Sequence, residues 1–390
     1  MKYLAEIVRS VRQGIIEGLR VNVRESSRKP IELVEEALPV QVEFYSKKVQ
    51  ELQRHTLIKL DKEIYALDSS SRVVETPYMF ICIGAGSVFN RFTGFALDVP
   101  SLLSIMGLEE PLCKHIVLIP EIEYSQKFTE LISSVKSIMQ SNPNNIPYTS
   151  EYNKNIILAE LRASIENCLL ENFAKIVRER AVLFIDGPIL YPEKVVGAVS
   201  TSREILELYT SSIRTLNNQR AMLIKKLLVN NTVVINIVKR LHRSYYLSTT
   251  DPLSLKISGS SDEAYLTTAL MAGKIPGEKP VAVGPLVVKQ QGEYSVNRVM
   301  WYLIIPRRVH SYIEGLGNYV FYRVEVLEEC LREHILELVV QDSIQIGSFL
   351  PLTLLVVDKR VKKISSSITT YFLYLTGLTS EATEHYISIL

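Results

Sequence analysis

Two apolar runs in this chain end on a carboxylate: "IYALD" closes at Asp68 and "VLFID" at Asp186. In open α/β sheets the carboxyl ends of the strands are where ligands gather. If the two runs are neighbouring strands, their carboxylates come close together. Such a pair persists only when protonated or when a cation lies between the two groups, and a divalent metal is the economical cation. A second reading stands beside this one. Asp68 precedes Ser69 and Ser70, and Asp186 precedes Gly187 and Pro188, which is also ordinary turn and helix-cap chemistry.

A third acid could come from the segment ahead of the second run. Glu166 sits beside the apolar stripe there, at the margin of a buried face, or else forms an i,i+4 surface ion pair with Arg162. Past the next apolar run comes "VKRLHRSYY", with Lys239, Arg240 and Arg243 followed by Tyr245 and Tyr246. Basic residues interleaved with aromatics suit a phosphate backbone with bases stacked alongside, and equally a solvated face. A second basic cluster holds Lys359 and Arg360, next to Asp358, which is either a further acid or a helix N-cap.

These groups need elements to hold them. Residues 151–180 place Leu158, Leu161, Ile165, Leu169, Phe173 and Ile176 on one stripe, the pattern of a helix packed on a sheet. "AVLFID" and "TVVINIV" are continuous apolar runs, as central strands covered on both faces require, and residues 201–230 between them read as a helix. The middle of the chain is therefore α/β. Ahead of it, "EIYALDSSS", "PYMFICIGAGSVFN", "FTGFALDVP" and "KHIVLIPEI" read as a β-meander, with the first strand ending at Asp68. Residues 30–55 carry a broken helical pattern. Beyond residue 250 the pattern gives a helix at "DEAYLTTALMAG", three strands, and a helical end broken at "GSFLPL". Composition alone draws no domain boundary along the chain.

The bulk composition narrows the options. The 390 residues carry 44 Lys plus Arg against 42 acidic residues, a net charge of +2, so the chain is no global polycation. The four cysteines are scattered and the six histidines form no metal-spaced pair, so reduced thiols are expected rather than zinc or a disulfide framework. "GAGS" lacks the rest of a dinucleotide fingerprint, and neither a P-loop nor a serine-nucleophile elbow is present. No stretch reaches the roughly 18 apolar residues of a membrane span, and the first residues lack a signal peptide's apolar core. The reading is a cytoplasmic protein with no membrane partner.

Taken in order, "IYALDSSSRVVETPYMFICIGAGSVF", "LRASIENCLL", "VLFIDGPIL", "VVINIVKR", "YVFYRVEV" and "SFLPLTLLVVDKRVKKI" resemble the NurA family, nucleases that work beside the HerA translocase. The resemblance covers about residues 60–370 and implies a helical extension over 1–60, a nuclease domain over 61–370 with insertions around 250–320, and a tail over 371–390. It implies an α/β, RNase H-like core with a mixed central sheet flanked by helices. It further implies a Mn²⁺- or Mg²⁺-dependent site ligated by Asp68, Glu166 and Asp186, with Lys239 near the scissile phosphate and Asp358 in the place of a late polar residue. The first motif reads Asp-Ser-Ser where the family usually shows Asp-Gly-Ser, and Asp358 stands where some members carry His. Two ions about 4 Å apart would activate water and stabilise the leaving 3′ oxygen. DNA, a HerA-like hexameric ATPase and a second copy of the chain are the implied partners, with 5′–3′ exonuclease and single-strand endonuclease activity in end resection. An interaction protein that regulates the ATPase, and an RNase H-like nuclease acting on RNA, remain alternatives.

Overall fold

The run Ala181 to Ile185 has no polar face, so it must be covered on both sides, and none of these five residues is more than 1% exposed. The computed structural model describes residues 6–7, 32–33, 41–44, 49–52, 63–75, 79–120, 130, 133–146, 148, 152–177, 180–193, 195–196, 203–289, 296–306, 319–332, 334–344 and 350–376. In chain order these form β1 (Glu32–Leu33), β2 (Gln41–Phe44), β3 (Val49–Glu51), β4 (Glu63–Glu75), β5 (Met79–Phe89), β6 (Ala96–Val99), α1 (Leu102–Met106) and β7 (Ile116–Pro120). There follow α2 (Lys154–Ile176), β8 (Ala181–Asp186), β9 (Val195–Val196), α3 (Arg203–Val229), β10 (Thr232–Val238), α4 (Tyr246–Thr250) and α5 (Asp262–Met271). The last elements are β11 (Val281–Lys289), β12 (Asn297–Pro306), β13 (Tyr319–Leu327), α6 (Ile335–Ile344) and α7 (Leu352–Thr376).

The architecture is mixed α/β. An 11-stranded sheet runs β2-β11-β12-β13-β10-β8-β4-β5-β6, with β3 also on β11 and β7 also on β5. At its centre β4, β8 and β10 are parallel, and the flanking pairs β4/β5 and β10/β13 are antiparallel. The expected insertions around 250–320 include β11, β12 and the start of β13, which extend this same sheet. Among the described residues of 30–55, β2 and β3 depart from the broken helical pattern, as strands lying antiparallel on β11. An open strand edge offers unpaired N–H and C=O groups, and that long-range partner overrides local helical spacing. Of residues 1–31 only Glu6 and Ile7, which are helical, lie within the described residues. The boundary expected at 370 falls inside α7, whose Phe372 is buried; residues 377–390 lie outside the described residues.

Helix α2 lies on one face of β4 and β5 and α7 on the other, where Ile368 and Phe372 pack with Ile81 and Ile83. The small residues of "GAGS" explain how close α2 comes. A Cβ on Gly84 would stand 2.4 Å from Ile165 Cδ1, and one on Gly86 would stand 2.6 Å from Ile165 Cγ2 and 2.7 Å from Leu169 Cδ1. The run is a seat for the helix rather than a phosphate loop. The thiols also depart from expectation: Cys113 and Cys168 form a disulfide across a separation of 55, while Cys82 and Cys330 are free and buried. The pairing follows from α2 passing beside the segment that leads into β7, a proximity that spacing alone does not encode. Among the described residues no helix is long and apolar enough to cross a membrane.

Helix α2 also buries Glu160, which accepts hydrogen bonds from Tyr148 (2.6 Å), Tyr152 (3.2 Å) and Asn142 (3.3 Å). Burial pushes its carboxyl up to about 7, against the lowering effect of those donors. Between its ordinary value of 4.5 and about 7 the folded chain keeps a proton that the unfolded chain has lost, so stability falls as pH rises through that window. At about 1.4 kcal/mol per pH unit the cost reaches about 3 kcal/mol above pH 7. Glu160→Gln removes the charge and keeps one carbonyl acceptor for Tyr148 and Asn142. It is expected to flatten the melting-temperature profile between pH 4.5 and 7 and to melt above the wild type at pH 8; parallel profiles for the two proteins would refute this.

Candidate metal and phosphate site

Strand register brings the two aspartates together. In the parallel pair β8/β10, Asp186 lies opposite Ile237, and in β4/β8, Leu67 lies opposite Ile185. Asp68 and Asp186 therefore leave adjacent strands at the same level. Strand β8 stops there because Gly187 takes φ +94°, a left-handed conformation that favours glycine. The turn is then pinned from outside. Gly187 N–H donates to Ile237 O (2.9 Å), Asn236 Nδ2 donates to Gly187 O (3.1 Å), and Ile189 N–H donates to the buried Glu325 carboxylate (2.9 Å). With the turn's N–H groups engaged elsewhere, Asp186 faces Lys239, whose Nζ lies 2.8 Å from Oδ2 at the end of β10.

Asp68 behaves differently from the expected strand terminus. Strand β4 continues through it to Glu75, paired with β5 all the way, and only its pairing with β8 ends at Leu67. The side chain is 5% exposed and accepts a hydrogen bond from Ser69 N–H (2.7 Å). Helix α7 crosses this edge and contributes Asp358 from its interior, so Asp358 is not a helix N-cap. One carboxylate oxygen each from Asp68, Asp186 and Asp358 all lie within 4.8 Å of one another. Lys362, one turn on, pairs with Asp358 at 2.8 Å.

The electrostatics of this cluster are unfavourable without a cation. Burial raises the Asp68 carboxyl well above the usual range, and Asp186, Glu166 and Asp358 push it the same way against the pull of Lys239. Asp186 is raised by burial too, although Lys239 opposes the shift. Burial would lower the Lys239 ammonium, but Asp186, then Asp68 and Asp358, hold it above its ordinary value. A divalent ion bound by oxygen donors removes this repulsion.

Glu166 is buried next to the cluster, yet its partner is not Arg162, which is exposed and donates to its own helix at Leu158 O (3.4 Å). Instead Oε2 accepts from Arg220 Nη1 (2.7 Å) and the Tyr191 hydroxyl (2.5 Å), and Oε1 accepts from Ser69 Oγ (2.5 Å). Sequence reasoning missed Arg220 and Tyr191. A signal for Arg220 was present: it falls in the buried stripe of α3 with Ile213, Leu216, Ile224 and Leu227, where an unpaired charge is not tolerated.

The expected nucleic-acid contacts separate into two groups. Arg240, Arg243 and Lys359 are exposed and Tyr245 is half-buried. Tyr246 is buried, its hydroxyl accepting from Arg298 (3.2 Å) and its ring lying under Arg323, so it offers no face to a base. Arg360 is engaged with Asp98 through two bonds of 2.8 and 2.5 Å and lies over the Phe89 ring. Tyr246 belongs to the interior, whereas Arg360 is partly exposed and already paired with Asp98.

The NurA domain model matches residues 62–362. No curated protein matches the chain. Among solved structures, the chain is similar to the NurA nuclease from Sulfolobus solfataricus, at 10% identity and TM-score 0.41, over 94% of this chain and 92% of that one. It is also similar to a NurA with manganese (11%, TM-score 0.40, 94% and 96%) and to a NurA bound to dAMP and manganese (12%, TM-score 0.38, 77% and 84%).

Proposed function

The chain belongs to the NurA family, and from that premise we propose that it is a metal-dependent nuclease hydrolysing phosphodiester bonds in DNA. The observation that carries the reading is the convergence of Asp68, Asp186 and Asp358 beside Lys239 at one sheet edge. The donor set consists of hard carboxylate oxygens, which fits Mn²⁺ or Mg²⁺. Asp68 and Asp186 hold the metal, with Asp358 and Glu166 as the further acids, and the domain over 61–370 is RNase H-like. When bound, the metal supplies Lewis acidity to a phosphoryl oxygen and lowers the pKa of water.

The chain's own groups do the rest. Lys239 neutralises charge that builds on the phosphoryl oxygens in the transition state. Arg240, Arg243 and Lys359 attract the backbone, and Tyr245 offers a stacking surface. The turn at Gly187 and Pro188 keeps Asp186 at the edge, where substrate can reach it. The biological setting proposed is 5′–3′ exonuclease and single-strand endonuclease action in end resection, by a homodimer working with a HerA-like hexameric ATPase and carrying two ions per site.

A cleavage assay on 5′- and 3′-labelled single- and double-stranded DNA and RNA tests the reading. Wild type is expected to degrade DNA with Mn²⁺, to stop in EDTA, and to recover on readdition of metal. Asp186→Ala should stay inactive under all conditions while keeping the wild-type circular dichroism spectrum. Cleavage by folded Asp186→Ala at the wild-type rate, or undiminished wild-type cleavage in EDTA, would rule the mechanism out.

A further inference from the structure

We infer that in this chain Asp358 rather than Glu166 completes the metal's carboxylate set, and that Glu166 acts as a positioning residue on Asp68 through the Ser69 hydroxyl. The inference rests on the nuclease reading and concerns how its site is assembled.

Asp68, Asp186 and Asp358 can each present an oxygen to one point, since the three atoms lie within 4.8 Å of one another. Two of these acids are held by amines that can be released: Lys239 on Asp186 and Lys362 on Asp358, the second of which is largely exposed. An incoming cation exchanges with such amines at small cost, because each lysine regains water.

Glu166 is in the opposite situation. Its negative charge is already balanced by Arg220, which is fully buried at 2.7 Å. A carboxylate has about four lone-pair positions, and Arg220, Tyr191 and Ser69 occupy three of those on Glu166. A metal on the one position left would share this carboxylate with a buried guanidinium that already balances its charge.

Ser69 gives this arrangement a purpose. Its hydroxyl donates to Glu166 Oε1 and its backbone N–H donates to Asp68 Oδ1 (2.7 Å). The chain Arg220–Glu166–Ser69 thus fixes the peptide that fixes Asp68, the arrangement by which outer groups orient metal ligands. The residue that departs from the family's Asp-Gly-Ser motif is the one that makes the connection, which a glycine in its place could not make.

The test is Mn²⁺ affinity of the full chain, measured by calorimetry and by electron paramagnetic resonance of free Mn²⁺. Asp358→Asn is expected to weaken binding about tenfold or more. Ser69→Ala and Glu166→Gln should each weaken it by a smaller, similar factor, and the Ser69→Ala/Glu166→Gln double variant should bind no more weakly than either single one, because both changes cut one connection. If Glu166→Gln does not fold, Glu166→Gln/Arg220→Gln, which removes the buried pair as a unit, replaces it in the cycle. Wild-type affinity in Asp358→Asn, or a Glu166→Gln loss that adds in full to that of Ser69→Ala, overturns the assignment. A wild-type protein that binds no Mn²⁺ overturns the metal site itself and this assignment with it.

Discussion

Asp68→Asn is expected to lose Mn²⁺-dependent cleavage and yet to melt above the wild type in EDTA. The first effect follows from removing a metal ligand. Metal assistance supplies several kcal/mol of transition-state stabilisation, and at about 1.4 kcal/mol per factor of ten the expected loss is about 10³-fold or more. The second effect follows from the carboxyl's surroundings. Burial, with Asp186, Glu166 and Asp358 acting in the same direction, holds Asp68 well above the usual carboxylate range. A carboxylate raised in the folded state keeps its proton after the unfolded chain has released one, so stability declines as pH rises from the unfolded value of about 4 through the folded value. At neutral pH the wild type bears that cost and the amide does not. Asn still accepts from Ser69 N–H through its own Oδ1. Adding Mn²⁺ should reverse the order: at 100 times Kd a ligand stabilises by about 2.7 kcal/mol, and the variant gains little of it. Differential scanning calorimetry in EDTA and in Mn²⁺, over pH 4 to 8, checks both halves. A variant that melts lower than the wild type in EDTA would mean that Asp68 is a structural acid rather than a strained ligand.

What could be read from the amino-acid order was what local pattern carries. Residues 181–186 and 232–238 are apolar on both faces because they lie in the middle of a sheet with parallel neighbours, and the pattern exposes that directly. Asp186 was legible for the same reason: a charge at the end of such a run needs an outlet. Long-range partners were not legible. Asp68 reads as a strand end because Ser69, Ser70 and Ser71 break the apolar run, but β5 pairs with every one of these residues and carries β4 onward. Asp358 reads equally as a further acid or a helix N-cap, and only the position of α7 across β4 shows it as part of the acid cluster. Arg220, Tyr191 and the Cys113–Cys168 disulfide depend on which helix faces become neighbours, which no window along the chain contains. Tyr246 and Arg360 show the same limit, since basic and aromatic residues in sequence are equally the material of cation–aromatic and ion-pair contacts within the fold.

The largest expected effect on stability lies away from the acid cluster, at Arg323. This residue of β13 is fully buried, lies 2.6 Å from Glu325, donates to Ser244 Oγ (2.6 Å), and lies 3.9 Å from Asp262. Glu325 and Asp262 are themselves fully buried. Arg323→Ala leaves two interior carboxylates with Arg298, at 3.7 Å from Glu325, as the nearby cation. Breaking such a buried set costs about 3–5 kcal/mol, a large part of the roughly 5–15 kcal/mol that keeps a domain folded, so a drop in Tm of roughly 5 °C is expected for a chain of this size. The pH dependence fixes the sign. Burial alone would raise Glu325, but Arg323 and Arg298, with the Ile189 N–H, hold it below its ordinary value. Stability from a lowered carboxylate is present above about pH 4.5 and is lost as pH falls through the folded value, so the gap between wild type and Arg323→Ala should be widest near neutrality and close in acid. The consequence reaches the site because Glu325 holds Ile189 N–H, one of the bonds that stop β8 at Asp186. Arg203→Ala is the control. Its ion pair with Glu207 is nearly as short, at 2.8 Å, but exposed, and its removal should change stability by less than about 0.5 kcal/mol. Similar losses for the two variants would show that bond length rather than burial sets the effect, and would detach the turn at Asp186 from the buried network beneath it.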